Sequence, residues 1–213
     1  VVTFSAKSPG AMVGRMARAS TRDKNAALHG RTHELEHALK LLGAMASTDW
    51  LTELPNRRKF DETLAQMFHQ ATRFAEPLTL VLFDVDRFKQ INDSHGHGAG
   101  DDVLRTLGAL LQRCARKSDL PARLGGDEFG ILLYHTDSRQ AEQFVRKLVD
   151  SVRTHDFSYH GVRLQVSLSV GIAEVGPAMN MPQSLYFAAD RALYASKNGG
   201  RDRCTVHPCL TEE

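Results

Sequence analysis

Two spacings of apolar residues divide this chain. Over residues 12–46 leucines recur every seven positions, at Leu28, Leu35 and Leu42, with Ala38 and Met45 three residues after the last two. That spacing lays a short seam along one side of a helix. Two readings fit it: one amphipathic helix packed on its own domain, or a coiled-coil stalk paired in parallel with a second copy. The helix is long, basic and without an apolar partner nearby in sequence, which favours a helical stalk over 1–46 leading into a domain over 47–213.

From Ser47 the pattern shortens. Pro55-Asn56 opens a helix that reaches about residue 74, with Asn56 as its N-cap. Residues 78–83 form an unbroken apolar run, read as a buried strand. After a Gly/His-rich turn at 94–100, a helix over about 99–116 carries Leu104, Leu107, Leu110 and Leu111 on one face. Two strands bracket Gly125-Gly126-Asp127, the second at 129–135. Residues 138–154 are helical, 162–175 give one or two strands broken near Ser167, 182–197 a last helix and 204–207 a closing strand. This order predicts an α+β fold, a mixed sheet with helices packed on it in a palm-like arrangement.

Composition adds limits. The 213 residues hold 27 basic and 25 acidic side chains, a net charge of +2, divided as +4 over 1–47 and −2 over 48–213. With 42% apolar and 24% charged residues the chain has the means to build a core. No apolar run approaches the ~20 residues that cross a bilayer. Three cysteines, Cys114, Cys204 and Cys209, are an odd number at no disulfide-framework spacing, which points to a reducing, cytoplasmic setting. A start at Val-Val-Thr is expected of a piece of a longer protein, whose sensory domain would lie upstream.

Candidate chemistry gathers in four places. Asp84 and Asp86 stand two apart at the end of a buried strand, hence on one side of it. Carboxylates there cap the segment after the strand or bind a cation, and hard oxygen ligands suit Mg²⁺. Asp127 and Glu128 come after two glycines in a hairpin between apolar strands, a turn that is common in itself. The stretch 89–101 offers Lys89, Asn92 and Asp101 among glycines, where amide and acid could read a nucleobase edge or simply favour a helix N-terminus. Lys197, Gly199, Gly200 and Arg201 could clamp phosphate or form an ordinary helix end. Together these groups spell a nucleoside triphosphate site, without the Gly-Lys-Ser loop of P-loop enzymes. His95 with His97, and Cys204 with His207 and Cys209, are weak candidates for zinc.

The chain resembles the GGDEF family of bacterial diguanylate cyclases. Gly125-Gly126-Asp127-Glu128-Phe129 resembles the family signature, Thr48 through Arg58 its opening motif, Phe83 through Lys89 and Asn92 through Asp101 its metal and guanine segment, and Ala189 through Arg201 its closing helix. The resemblance implies a five-stranded nucleotidyl-cyclase-like sheet and condensation of two GTP into cyclic di-GMP with release of two pyrophosphates, across a homodimer. It implies two Mg²⁺ per site, replaceable by Mn²⁺, held by Asp84, the Val85 carbonyl, Asp127 and Glu128. Asp127, Glu128 and Lys89 are the implied catalytic residues. Asn92, His97 and Asp101 would hold guanine, and Phe88, Lys89, Lys197 and Arg201 the phosphates. The family's product-inhibition site would fall on Arg116 and Asp119, with Arg146 as a partner contact. Arg58/Asp61 and Arg153/Asp156 share that spacing, so location alone singles out Arg116. The alternative is an inactive GGDEF domain that acts as a cyclic di-GMP receptor. Nucleic acid is not an expected partner. Glu53 stands where the family usually carries Gly.

Overall fold

The computed structural model describes residues 47–208. The expected stalk over 1–46, and Cys209, lie outside them. The sheet has five strands: β1 (Leu78–Val85), β2 (Leu120–Gly125), β3 (Glu128–Tyr134), β6 (Leu168–Glu174) and β7 (Arg203–Val206). Their order is β2-β3-β1-β6-β7, antiparallel except for the parallel β6–β7 pair. The predicted mixed five-stranded palm is what is observed.

β1 sits at the centre because seven of its eight residues are buried. Val81, Phe83 and Val85 face one core with α3 (His97–Cys114) and α4 (Ser138–Thr154). Leu78, Leu80 and Leu82 face a second core with α1 (Arg57–Phe74) and α5 (Pro182–Asn198). A strand apolar on both faces is the form that helices on both sides require. α1 starts where the sequence predicts it, and the Asn56 side chain accepts from the Lys59 amide at 3.1 Å. α4 opens with an Asp137/Gln140 capping box.

Three details differ from the sequence reading. A further helix, α2 (Phe88–His95), occupies residues that the sequence reading leaves without an element or assigns to a turn, and α3 begins at His97 and ends at Cys114, each two residues early. Gly96, at φ 84 and ψ 163, interrupts what would otherwise be one continuous helix. A two-residue hairpin, β4 (Ser158–Tyr159) with β5 (Val162–Arg163), precedes β6. Its turn holds His160 and Gly161 at φ 48 and 79, both positive as a type I′ turn requires. Strands this short leave no periodic signal.

Candidate nucleotide and metal site

The pairing of β1 with β3 puts Asp84 directly opposite Glu128. Asp127 sits in the turn beside them, and its carbonyl accepts from the Val85 amide at 3.3 Å. Gly126 holds φ 51, a left-handed conformation that glycine takes without steric cost, so the turn reverses within Gly125–Asp127. Asp84, Asp127 and Glu128 therefore lie near one another where β1 ends and β3 begins. Burial pushes the Asp84 carboxyl above its ordinary value; the Lys197 ammonium beside it pulls down, and the charges of Asp127 and Glu128 add to the rise. Lys197 Nζ donates to Asp84 Oδ2 at 2.6 Å, across 113 positions of sequence. The basic partner that the turn itself lacks thus comes from α5.

Asp86 belongs elsewhere. It is 6% exposed; Ser169 donates to its Oδ1 at 2.6 Å, and Ser167 and the Asp202 amide donate to its Oδ2 at 2.7 and 3.0 Å. A carboxylate so fully satisfied ties β1, β6 and the turn after α5 together. The sequence places it beside Asp84, and only the long-range contacts separate their roles.

The acids around Asp84 suit a hard divalent cation: carboxylate oxygens in a spot where burial resists negative charge. Among the described residues no three His, Cys, Asp or Glu side chains form a metal cluster by themselves. Mg²⁺ is commonly held by one or two carboxylates together with substrate phosphates, and Asp84, Asp127 and Glu128 could supply that share. His95 and His97 belong to no group of three metal-holding side chains among the described residues, and the Cys204/His207/Cys209 candidate includes Cys209, which lies outside them.

Asn92, on α2, has a buried Oδ1 with no hydrogen-bond partner. A buried acceptor left unpaired is uncommon and calls for a donor. It faces Gly100 on α3: a Cβ there would lie 2.0 Å from Asn92 Oδ1 and 2.9 Å from the Phe88 ring. Glycine at position 100 lets Asn92 and Phe88 of α2 pack closely against α3. Asp101 comes next on α3, half-buried, while His97 and Lys89 are exposed. Arg201, at φ 65, lies in the turn after α5 with Lys197 one turn before it.

Arg116 and Asp119 close a small turn after α3: Asp119 Oδ2 accepts from the Arg116 amide at 2.8 Å, and the Arg116 carbonyl accepts from the Asp119 amide at 3.1 Å. Arg146 is on α4, where it donates to Glu142 Oε1 at 2.8 Å.

One residue escaped the sequence reading. Arg123, on β2, donates from Nε and Nη2 to the Gly126 carbonyl at 3.1 and 2.8 Å, fixing the signature turn, and from Nη1 to Asp49. An arginine two residues before a Gly-Gly turn was the available signal. Glu53 adopts φ 60, so a side chain occupies a left-handed position in the opening turn. That is a physical reason for glycine to be usual there.

Comparison with known proteins shows the family. The family model described as "Diguanylate cyclase, GGDEF domain" matches residues 46–203. The probable diguanylate cyclase DgcE of Escherichia coli is 39% identical over 174 residues, 82% of this chain and 16% of that protein. Diguanylate cyclase A of Treponema denticola is 33% identical over 165 residues, 76% of this chain and 44% of that protein. The chain thus spans less than half the length of either relative. The crystal structure of the GGDEF domain of DgcB from Caulobacter crescentus in complex with c-di-GMP superposes with a TM-score of 0.74 at 32% identity, covering 76% of this chain and 96% of that one. No helix among the described residues is long and apolar enough to cross a membrane. With the signature turn between β2 and β3, and the matched span covering four of the five strands and reaching the start of β7, the chain belongs to the GGDEF family of diguanylate cyclase domains.

Proposed function

We propose that this chain condenses two GTP molecules into cyclic di-GMP, releasing two pyrophosphates, when two copies face each other with one GTP bound to each. The cross-strand pairing of Asp84 with Glu128, countered by Lys197 alone among the basic groups that contact Asp84, carries the reading. Such a like-charged pair is costly in isolation and useful where a cation arrives with substrate.

Asn92, His97 and Asp101 bind guanine. Asp101 accepts from the N1–H and N2–H donors that adenine lacks, and the unpaired Asn92 Oδ1 gains a donor. Lys89, Lys197, Arg201 and the backbone at Phe88 hold the phosphates. Asp84, the Val85 carbonyl, Asp127 and Glu128 would hold two Mg²⁺, or Mn²⁺ in their place. When bound, the ions make a 3′-hydroxyl more acidic and offset charge on the α-phosphate and the departing pyrophosphate. Lys197 then gives up Asp84 and turns to phosphate, so its present ion pair is a resting arrangement. Asp127 accepts the proton of the 3′-hydroxyl from the facing subunit's GTP. The 3′-oxygen bonds to the α-phosphorus as the bond to the β-phosphate oxygen breaks, and pyrophosphate leaves; the second half repeats the step. Cyclic di-GMP returns as an inhibitor at Arg116 and Asp119, with Arg146 supplied by the partner.

Rate against protein concentration tests the paired geometry. The turnover per chain should rise with concentration until the dimer saturates, with ATP unreactive. A rate per chain independent of concentration through the range in which the protein is monomeric would overturn it.

A further inference from the structure

A cavity of about 520 Å³ lies between α2, the segment joining β5 to β6, and the turn after α5. Its lining includes none of Asp84, Lys89, Asn92, Asp101 or Asp127, so it is a different place from the site above apart from Arg201. The floor is apolar, made by the buried Ile91, Leu164 and Val166.

The rim carries three arginines, Arg87, Arg163 and Arg201, with His95 beside them. Two acids also line the cavity, and both are engaged internally. Asp86 accepts from Ser167, Ser169 and the Asp202 amide, and Asp202 Oδ1 accepts from Arg153 Nε at 3.1 Å. The Arg87 and Arg201 guanidinium groups make no hydrogen bond or ion pair with any described residue. Arg163 meets only Asp156, at 3.5 Å, with both side chains about three-quarters exposed (74% and 77%). A pair of that kind contributes little. The guanidinium groups around the cavity therefore exceed the acids free to balance them. Arg87, Arg201 and Asp202 also hold left-handed backbone, at φ 55, 65 and 47. Strain of this kind persists only where the surroundings fix it.

We propose that this cavity binds a phosphate-bearing anion. Arg87, Arg163 and Arg201 hold its phosphate, since guanidinium forks match phosphate oxygens in pairs. Ile91, Leu164 and Val166 receive any organic portion. The proposal goes beyond the cyclase reading and does not depend on it. If both stand, Arg201 joins the two sites, and an anion here competes for a cationic side chain that the substrate phosphates use.

Calorimetric titration of the full chain, without divalent cation, tests this with two probes: inorganic pyrophosphate and adenosine 5′-monophosphate. At least one should bind saturably, about tenfold or more weakly in Arg163→Glu and in Arg87→Ala, and within about twofold of the parent in Lys89→Ala. Pyrophosphate alone binding identifies an inorganic anion; binding of the monophosphate as well identifies a nucleotide. Saturation by neither probe overturns the proposal. So does binding that Lys89→Ala abolishes and Arg163→Glu leaves intact, because the anion would then sit in the substrate site.

Discussion

Arg123 donates from Nη1 to both carboxylate oxygens of Asp49, at 3.0 and 3.2 Å, across 74 positions of sequence. The pair is largely shielded, with side chains 12% and 17% exposed. The same guanidinium donates to the Gly126 carbonyl. One planar group therefore ties the opening turn to the turn that carries Asp127. Arg123→Ala leaves Asp49 buried without its partner and should lower stability by about 2–4 kcal/mol in urea unfolding. Arg123→Lys, which keeps the charge and loses the fork, should recover only part of that.

Asp49 also sets a pH dependence. Burial raises its pKa, but donation from the Thr52 hydroxyl and amide and from Arg123 outweighs this, so the carboxyl titrates below its ordinary value. A depressed folded pKa contributes stability that is present above the unfolded value near ~4 and is lost as pH falls through the folded one. Asp49→Asn should therefore be less stable than the parent at pH 7, and the gap should narrow in unfolding curves taken at successively lower pH, below about pH 4.

Glu53 tests the backbone. Its φ of 60 carries a steric cost that glycine at the same position would not incur. Glu53→Gly should raise stability by about 0.5–1 kcal/mol, the relief exceeding the added freedom of the unfolded chain, with GTP turnover unchanged. Thermal unfolding checks the first part and initial rates the second.

Two aspartates of one strand end should separate cleanly. Asp86→Ala strands Ser167, Ser169 and the Asp202 amide in a buried spot and should cost about 2–4 kcal/mol. Asp84→Asn removes a charge that burial disfavours, so stability at pH 7 should stay within about 1 kcal/mol of the parent while turnover is lost. Denaturant unfolding and GTP turnover on both variants check the contrast.

Gly100→Ala puts a methyl group against Asn92 Oδ1 and the Phe88 ring. GTP affinity should fall by about tenfold or more in equilibrium binding, with the circular dichroism spectrum retained.

Most of the sheet was legible because its strands are apolar runs bounded by turns, and β1 announces itself with residues buried on both faces. α2 was not: Lys89, Gln90, Asn92 and Asp93 carry no apolar period, and only Ile91 is buried. Its helix rests on tertiary contact with α3. In the site, Asp84, Asp127 and Glu128 were readable as acids out of place beside apolar strands. The partners that decide their behaviour were not, because Lys197 is 113 positions from Asp84 and Arg123 is 74 from Asp49. Local spacing cannot encode such pairs.

The most direct test is product identity. The native chain and Asp127→Ala are incubated with GTP and Mg²⁺, and the nucleotides are resolved by mass. Cyclic di-GMP and pyrophosphate from the native chain, with GTP left intact by the variant, is the predicted result. A native chain that leaves GTP unchanged, or a variant that makes the product at the native rate, would contradict the account.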